Sequence, residues 1–287
     1  MQIKRSGLIA LGVLVILVVI SFFIGGHDGK LHVYFLDIGQ GDAMFVQTPG
    51  GKQILIDGGP DQTVLQRLGE VMPFYDRTID LVVATHPDAD HLAGLVSVLE
   101  KYRVASILET GMQCETALCA EWEKIVPKEQ AVMNYGNLGE EINIEEGVKL
   151  LILNPFFELK DQKLSSRNNG AVVLKLMYGK QTVLLTADIE ASIERKMLVS
   201  DLNLKADFLK IAHHGSKTST TEDFLKAVAP KAAFIEVGRR NRYGHPTEEV
   251  LGRLENLSIP YYRTDTQGTI ELVLDGKDYQ ILTGSPR

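Results

Sequence analysis

The stretch IDLVVATHPDADH at residues 79–91 constrains the fold most, because a continuous apolar run passes directly into two histidines and two aspartates. A short apolar run of this kind is typical of a strand that is buried on both faces. Imidazole and carboxylate are side chains that hold divalent metal ions. A polar turn in which Asp90 or His91 caps the following helix is the alternative. A metal site needs ligands from elsewhere in the chain, so the other strand ends decide between the two.

Other apolar strand patterns end in the same kinds of residue. The run KQILI leads into Asp57, QTVLLTA into Asp188, and ADFLKIA into His213 and His214. A single aspartate after a strand is most often a turn residue or a helix cap. However, strands that end on one edge of a sheet bring their last residues together. The repeated pattern therefore predicts one polar site at a sheet edge.

Strand and helix patterns alternate from residue 31 to the end of the sequence. LHVYFLDIG, DAMFVQT and KQILIDGG are typical of strands, and TVLQRLGEVM has helical spacing. The second half repeats this mixture from VKLLILN to DYQILT. The pattern predicts an α/β protein in which two mixed sheets pack together with helices outside, a four-layer αββα sandwich. No low-complexity linker divides residues 31–287, so we expect a single domain there.

The N-terminus has a different composition. Lys4 and Arg5 precede an uncharged stretch from Ser6 to Gly26. About 20 apolar residues at 1.5 Å each match the roughly 30 Å hydrocarbon core of a bilayer. We therefore predict a transmembrane anchor at 7–26 after a short cytoplasmic N-terminus at 1–6, with a cleaved signal peptide as the alternative. Because the basic residues precede the span, the rest of the chain is expected outside the cytoplasm, at the cell surface or in the periplasm, or secreted after cleavage.

Charge and cysteine content limit the partners. The formal net charge of −7 argues against a protein that coats nucleic acid by bulk electrostatics, although an enzyme that holds a polyanion through metal ions remains compatible with it. Cys114 and Cys119 are the only cysteines. A local disulfide in an oxidising exterior and two buried thiols both fit this spacing. No protein partner is predicted.

Several stretches together resemble a known family. HPDADH at 86–91 resembles the H-x-[HD]-x-D-H signature of the metallo-β-lactamase superfamily. Further stretches resemble the hydrolase domain of ComEC-type competence proteins, and these are FLDIGQGDAMFV, LIDGG, LLTADIE, LKIAHHGSKTS and NRYGHP. The resemblance runs in order through about residues 31–275. It implies the metallo-β-lactamase fold and a hydrolase that uses two divalent metal ions, Zn²⁺ or Mn²⁺.

The resemblance also implies a set of ligands. His86 and Asp88 would bind the first ion, and Asp90 and His91 the second. Asp188 would bridge the two ions, and either His213 or His214 would complete the site. Asp57 would support the ligands from behind.

Some positions depart from the wider superfamily. Asp88 stands where many members have histidine, and the usual histidine before the bridging aspartate has no equivalent. Asn168 or Asn169 lies near that place, and Asn169 is the candidate that supports the site. An oxygen-richer site shifts the preference from zinc alone toward manganese or magnesium. Ala187 replaces a glycine frequent in relatives, which we expect to leave Asp188 in place.

Phosphodiester hydrolysis follows from such a site. Two metal ions bind a phosphate oxygen and lower the pKa of a water molecule toward neutrality. Asp90 is the candidate to accept the proton of that water, and His245 is expected at the mouth as a hydrogen-bond donor to phosphate. The loop VGRRNRYGH offers residues suited to phosphate contact and base stacking, and a solvated basic loop is the alternative. Its candidate substrate-binding residues are Arg239, Arg240, Arg242 and Tyr243.

The sequence thus predicts a membrane-anchored, outward-facing phosphodiesterase with DNA as the preferred substrate. One alternative is a phosphodiesterase for a small or cell-wall substrate, such as a phosphorylcholine or teichoic acid ester, which the acidic balance favours slightly. Another is a non-catalytic, metal-stabilised binding module at the membrane surface. The complete set of candidate ligands argues against the binding module.

Overall fold

The computed structural model describes residues 12–14 and 28–284, and its strands form two sheets. The strands of the first sheet are β1 (Leu31–Phe35), β2 (Met44–Gln47), β3 (Gln53–Ile56), β4 (Thr78–Val83), β5 (Arg103–Glu109), β6 (Val132–Tyr135), β14 (Ile270–Leu274) and β15 (Tyr279–Thr283). Those of the second are β7 (Glu141–Glu145), β8 (Val148–Asn154), β9 (Val173–Tyr178), β10 (Gln181–Leu185), β11 (Phe208–Lys210), β12 (Ala232–Ile235) and β13 (Tyr261–Arg263).

Both sheets are mixed. The first has the order β15-β14-β1-β2-β3-β4-β5-β6, and the second β13-β12-β11-β10-β9-β8-β7. Strands β3 to β6 run parallel to one another, and so do β10 to β13. The remaining pairs are antiparallel. The carboxyl ends of several parallel strands therefore lie side by side in each sheet.

Helices cover the outer faces of the two sheets. The first sheet packs against α1 (Thr63–Val71), α2 (Ala89–Lys101) and α3 (Ala117–Glu129). The second packs against α4 (Ala191–Leu198), α5 (Glu222–Val228) and α6 (Glu248–Asn256), and a short α7 (Thr264–Gln267) follows β13.

The inner faces of the sheets form a third apolar core. Leu31, Val33 and Phe35 alternate inward along β1, as the period of a strand requires. The ring of Phe35 stacks on Phe234 of the second sheet at a centroid distance of 4.2 Å. Helices, two sheets and helices thus form four layers, and the predicted αββα sandwich is confirmed.

Sequence patterns predicted the buried strands better than the exposed ones. β6, β7 and β13 lie at sheet edges and were not predicted. Exposed and half-buried residues alternate in β6 and β7, so neither has the apolar run that marks a buried strand. The anchor predicted at 7–26 lies, except for 12–14, outside the described residues. Among those that are described, none of the helices has the length and apolar character that a bilayer span requires.

Candidate metal centre

The predicted site residues lie at one edge of the two sheets. β3 and β4 run parallel, so Asp57 and His86 follow their ends side by side. β10 and β11 run parallel in the other sheet, which places Asp188 beside the segment 213–214. The two groups meet, because His91 Nε2 lies 3.2 Å from Asp188 Oδ2. Strand ends of both sheets therefore contribute to one cluster.

The segment after β4 carries the first group. Its helix α2 begins at Ala89, and the residue at the cap position is Asp88, rather than Asp90 or His91. The Asp88 side chain makes no capping hydrogen bond. Its carboxylate instead lies 2.7 Å from Arg167 Nε, and the other oxygen lies 3.8 Å from His86 Nε2. Helix capping therefore does not account for this cluster.

A buried chain of hydrogen bonds orients the histidines of this segment. Asp57 Oδ2 accepts from His91 Nδ1 at 2.8 Å and from the Thr85 hydroxyl at 2.7 Å. Because that hydroxyl donates to Asp57, it accepts from His86 Nδ1, at 3.0 Å. Nδ1 thus carries a proton in both rings, and Nε2 is the free nitrogen of each neutral ring. Histidine ligands of metal ions are held in this way by an outer carboxylate.

The second group separates the two histidines that the sequence left undistinguished. His214 is buried, and its Nδ1 donates to the Glu236 carbonyl at 2.9 Å. Its Nε2 lies 3.3 Å from Asp188 Oδ2 and 3.4 Å from Asp90 Oδ2. His213 has 25% of its side chain exposed, and its Nε2 lies 3.9 Å from the same Asp188 oxygen. His214 is therefore inside the cluster and His213 at its open side.

The centre of this cluster contains polar atoms that lack partners. Four buried atoms make no hydrogen bond to any described residue, and these are Nε2 of His86, His91 and His214 and Oδ1 of Asp188. Buried polar atoms are normally paired, so such a group needs an explanation. Asp90 joins them, since ligand atoms of Asp90, His91, Asp188 and His214 all lie within 4.8 Å of one another. Imidazole and carboxylate suit zinc or manganese, so these residues fit a bound divalent ion.

The electrostatics of the cluster also fit a cation. Burial alone would lower the pKa of His91 and of His214, but nearby carboxylates raise both pKa values well above the ordinary value. These are Asp188, Asp57 and Asp42 for His91, and Asp188 and Asp42 for His214. Burial, with the charge of His91, lowers the pKa of His86 to about 3. Protons on His91 and His214 thus balance the carboxylates, and a metal ion at Nε2 would replace them.

Comparison with known proteins agrees with this geometry. Residues 36–238 match the sequence pattern of the metallo-beta-lactamase superfamily. The chain belongs to that superfamily. ComE operon protein 3 of Bacillus subtilis (strain 168) is 33% identical over 83% of this chain and 32% of that protein. Competence protein ComA of Neisseria gonorrhoeae is 28% identical over 86% of this chain and 33% of that protein. The predicted resemblance to ComEC-type competence proteins is confirmed, and the chain spans about a third of the length of these relatives.

A solved structure shows the same fold at low identity. CmlA, a diiron beta-hydroxylase from Streptomyces venezuelae, superposes with a TM-score of 0.55 over 88% of this chain and 54% of that chain, at 13% identity. At this identity the likeness concerns the metallo-beta-lactamase fold alone.

The loop at 239–245 lies at the open side of the cluster, beside His213. The His245 ring lies 5.7 Å from that of His213, and the Tyr243 ring stacks on His245 at a centroid distance of 5.8 Å. Burial and the charges of His214 and His213 lower the pKa of His245 to about 4, so it is neutral at neutral pH. The exposed Arg242 guanidinium lies 5.2 Å from the Tyr243 ring centroid. Arg239 and Arg240, also predicted to bind substrate, are exposed on the same loop.

Asn169 and the cysteines take positions near the site. Asn169 Nδ2 donates to the Glu190 carboxylate at 2.9 Å, and its Oδ1 accepts from the Glu190 N–H at 3.2 Å. It therefore holds the loop that follows Asp188 and is not part of the ligand cluster. Cys114 and Cys119 form a disulfide, one of the two alternatives that the sequence left open.

Three buried charged residues beside the ligands were missed by the sequence analysis, and these are Asp42, Lys210 and Glu236. Lys210 Nζ forms an ion pair with Asp42, whose other oxygen lies 3.1 Å from His214 Nδ1. Asp42 therefore has a cation of its own and supports the histidine from behind. A lysine inside the apolar run ADFLKIA and a glutamate inside AAFIEV were the available signals, because an unpaired charge in a buried strand is costly.

Proposed function

We propose that the chain is a membrane-anchored phosphodiesterase that hydrolyses DNA outside the cytoplasm with two divalent metal ions, Zn²⁺ or Mn²⁺. The observation that carries this proposal is a set of three buried Nε2 atoms without hydrogen-bond partners among the described residues. Two of them, in His91 and His214, lie 3.2 and 3.3 Å from Asp188 Oδ2. The resemblance to the hydrolase domain of ComEC-type competence proteins, and the name of the relative competence protein ComA, support DNA as the substrate. The apolar stretch after Lys4 and Arg5 supports the anchor and its orientation.

Each ion would be held by residues of both sheets. His86 and Asp88 would hold one ion, Asp90, His91 and His214 the other, and Asp188 both. When bound, the ions supply Lewis-acid stabilisation of a phosphate oxygen and a water nucleophile at neutral pH. His214 sits deeper than His213, which supports His214 as the ligand and His213 as a group that faces the substrate.

The chain's own side chains supply the remaining chemistry. Asp90 has 33% of its side chain exposed, so it reaches the open side of the cluster. Burial would raise its pKa, but contact with His214 and the charge of His91 hold the pKa well below the ordinary value. An ionised Asp90 can orient a water molecule and accept its proton. Neutral His245 can donate one hydrogen bond to a phosphate oxygen at the mouth.

Hydrolysis by the full chain, stripped of metal, tests the proposal. We expect cleavage of single- or double-stranded DNA and of bis-p-nitrophenyl phosphate after addition of Mn²⁺ or Zn²⁺, and Mg²⁺ is tested alongside them. The Asp90→Ala, His91→Ala double variant should lose both activities, whereas Asp223→Ala, an exposed change on α5, should retain them.

The outcomes separate the candidate functions. Cleavage of the small diester with DNA intact would replace the nuclease by a phosphodiesterase for a small or cell-wall substrate. Bound metal without hydrolysis of either substrate would favour the binding module and contradict an enzyme.

A further inference from the structure

A cavity of about 210 Å³ adjoins the metal centre on the side of the first sheet. His86 forms part of its wall, and the segment after β5 forms another part, beginning at Glu109. The cavity is also lined by Trp122 of α3, Tyr135 at the end of β6, and Lys160, and by two further carboxylates, Glu123 and Asp161. The cavity therefore lies along the same strand-end edge as the ligands, one to two strands away from them.

The cavity contains a carboxylate that the hydrolysis does not use. Glu109 Oε2 accepts a hydrogen bond from Trp122 Nε1 at 2.7 Å. Its Oε1 accepts none from the described residues, so this oxygen remains available to a ligand in the cavity. A half-buried carboxylate with one oxygen already satisfied is a directional acceptor for an N–H group.

The other walls favour a flat ring. Tyr135 supplies an aromatic surface, and Lys160 Nζ lies 4.7 Å from the centroid of that ring. Bases of single-stranded nucleic acid pack against such rings. Because Lys160 already lies over one face of Tyr135, a base would contact the remaining surface of this ring. The cavity is smaller than the roughly 300–1,000 Å³ of pockets that take drug-sized ligands. Its size therefore suits one ring system, not a larger organic ligand.

We propose that this cavity binds the nucleobase next to the scissile phosphate, and that Glu109 selects a base with an exocyclic amine over thymine. The inference rests on the proposed phosphodiesterase function and adds a specificity for its substrate. Cytosine has an N4 amine that can donate a hydrogen bond to a glutamate carboxylate, whereas thymine has a carbonyl oxygen at the same place. A thymine in the same pose sets two acceptors against each other, so it loses the hydrogen bond that cytosine makes.

Direct binding to the cavity can be measured without turnover. Trp122 is the only tryptophan in the chain, so its fluorescence reports on this cavity alone. We expect deoxycytidine to change the emission of the full chain saturably, and thymidine to require about tenfold more ligand. Nucleosides lack phosphate, so the result does not depend on the metal centre. No saturable change with deoxycytidine, or equal affinity for the two nucleosides, would overturn the inference.

The Glu109→Gln variant identifies the selecting residue. A glutamine carbonyl can still accept from Trp122, which preserves the fold, and its amide group then faces the cavity as a donor. We expect this variant to lose the preference for deoxycytidine and to bind thymidine at least as well. The matched control is Glu121→Gln, an exposed change on α3, the helix that carries Trp122. This variant should keep the original preference. An unchanged preference in Glu109→Gln would contradict the assignment.

Cleavage of a random-sequence single-stranded DNA pool gives the second readout. We expect thymine to be depleted about tenfold at one position beside the cut, and Glu109→Gln to remove that depletion. Cuts without base preference would overturn the inference while leaving the phosphodiesterase intact. If neither DNA nor bis-p-nitrophenyl phosphate is hydrolysed, the proposed function fails instead, and the nucleoside titration still decides whether the cavity binds a base.

Discussion

The two halves of the candidate metal centre are built differently. The half on the first sheet takes its candidate ligands from one short segment, 86–91. Asp57, at the neighbouring strand end, accepts a hydrogen bond from His91 of that segment. The half on the second sheet takes Asp188 and His214 from the ends of different strands. One half is therefore assembled locally along the chain and the other by the packing of the two sheets.

Buried charge joins the halves. Asp42 precedes β2 of the first sheet, yet its carboxylate contacts Lys210 and His214 of the second sheet. Glu236 also crosses between the sheets, because its Oε1 accepts from the Ala43 N–H at 3.0 Å. The local half thus depends mainly on its own segment, whereas the second half depends on ion pairs across the sheets. The following predictions test that difference.

The largest effect is expected from removal of Lys210. Lys210→Met removes the buried cation that pairs with Asp42 and leaves only His214 beside that carboxylate. Breaking a buried pair in this way costs about 3–5 kcal/mol of unfolding free energy. Urea unfolding of the metal-free protein measures it. Lys231 is the matched control, because it forms an exposed ion pair with Asp207 at 3.0 Å, and Lys231→Met should cost about 1 kcal/mol or less. Equal losses in the two variants would refute the role of the buried pair.

The next largest effect is expected at the two adjacent histidines, His213 and His214. His214→Ala removes a buried imidazole from the ligand cluster, so we expect metal content to fall and hydrolysis of bis-p-nitrophenyl phosphate to drop more than about 100-fold, beyond the loss typical of residues that only support ligands. His213→Ala changes a partly exposed ring, and we expect metal to stay bound and activity to fall about tenfold or less. Mass spectrometry measures the metal content of each variant, and initial rates measure its hydrolysis of bis-p-nitrophenyl phosphate. The reverse ranking would assign the ligand to His213.

A smaller effect is expected from Asp57, which supports the local half. Asp57 has a φ of 59°, a left-handed backbone that asparagine also tolerates well. Asp57→Asn therefore changes the acceptor of His91 without straining the chain. We expect metal affinity to weaken about 10–100-fold. Titration with Mn²⁺ measures the affinity. The fold should survive because the remaining side-chain oxygen can still accept from the Thr85 N–H. An unaltered affinity would show that the histidine needs no carboxylate behind it.

The same difference explains what the sequence could predict. The segment 86–91 was recognisable as part of a candidate metal site because its candidate ligands follow one another after a buried strand. Asp188 and the pair at 213–214 were also recognisable, because each ends an apolar run. Two-sheet architecture followed from the same runs, since buried strands carry a continuous apolar pattern. Local sequence patterns, namely the apolar runs and the polar residues that follow them, were thus sufficient to predict the fold and most of the candidate ligands.

Contacts between distant segments could not be predicted in this way. Lys210 and Asp42 are 168 residues apart, and nothing in either local pattern indicates that they meet. The choice between His213 and His214 depends on backbone angles, with φ of 51° and 54°, that set which ring faces inward. Edge strands such as β6 have no buried face to give them a pattern. Sheet packing, rather than local sequence, determines all of these features.

The pH dependence of stability should separate the metal-free and metal-bound forms. Raised pKa values at His91 and His214 stabilise the folded metal-free protein fully below the unfolded pKa of about 6.5, and this contribution is lost as the pH rises through the folded pKa. We therefore expect the Tm of metal-free protein to fall as the pH rises above neutrality. The Tm increase on adding Mn²⁺ should grow over the same range, because binding requires loss of those protons. A metal-free Tm that rises with pH would be inconsistent with protonated histidines.

The smallest effect concerns Ala187, beside Asp188, the residue proposed to bridge the two ions. Its φ of 45° is left-handed, which explains why a glycine suits this position. Ala187→Gly relieves a strain of about 1–2 kcal/mol, but it also removes a buried methyl group worth about 0.8 kcal/mol and loosens the unfolded chain by about 0.5–1 kcal/mol. These terms nearly cancel, so we expect unfolding free energy to change by about 1 kcal/mol or less. The matched control is Ala233→Gly in β12, equally buried and without positive φ, where no strain is relieved and the loss should be about 1–2 kcal/mol larger. Urea unfolding compares them, and equal losses would mean that the second half of the site carries no strain at Ala187.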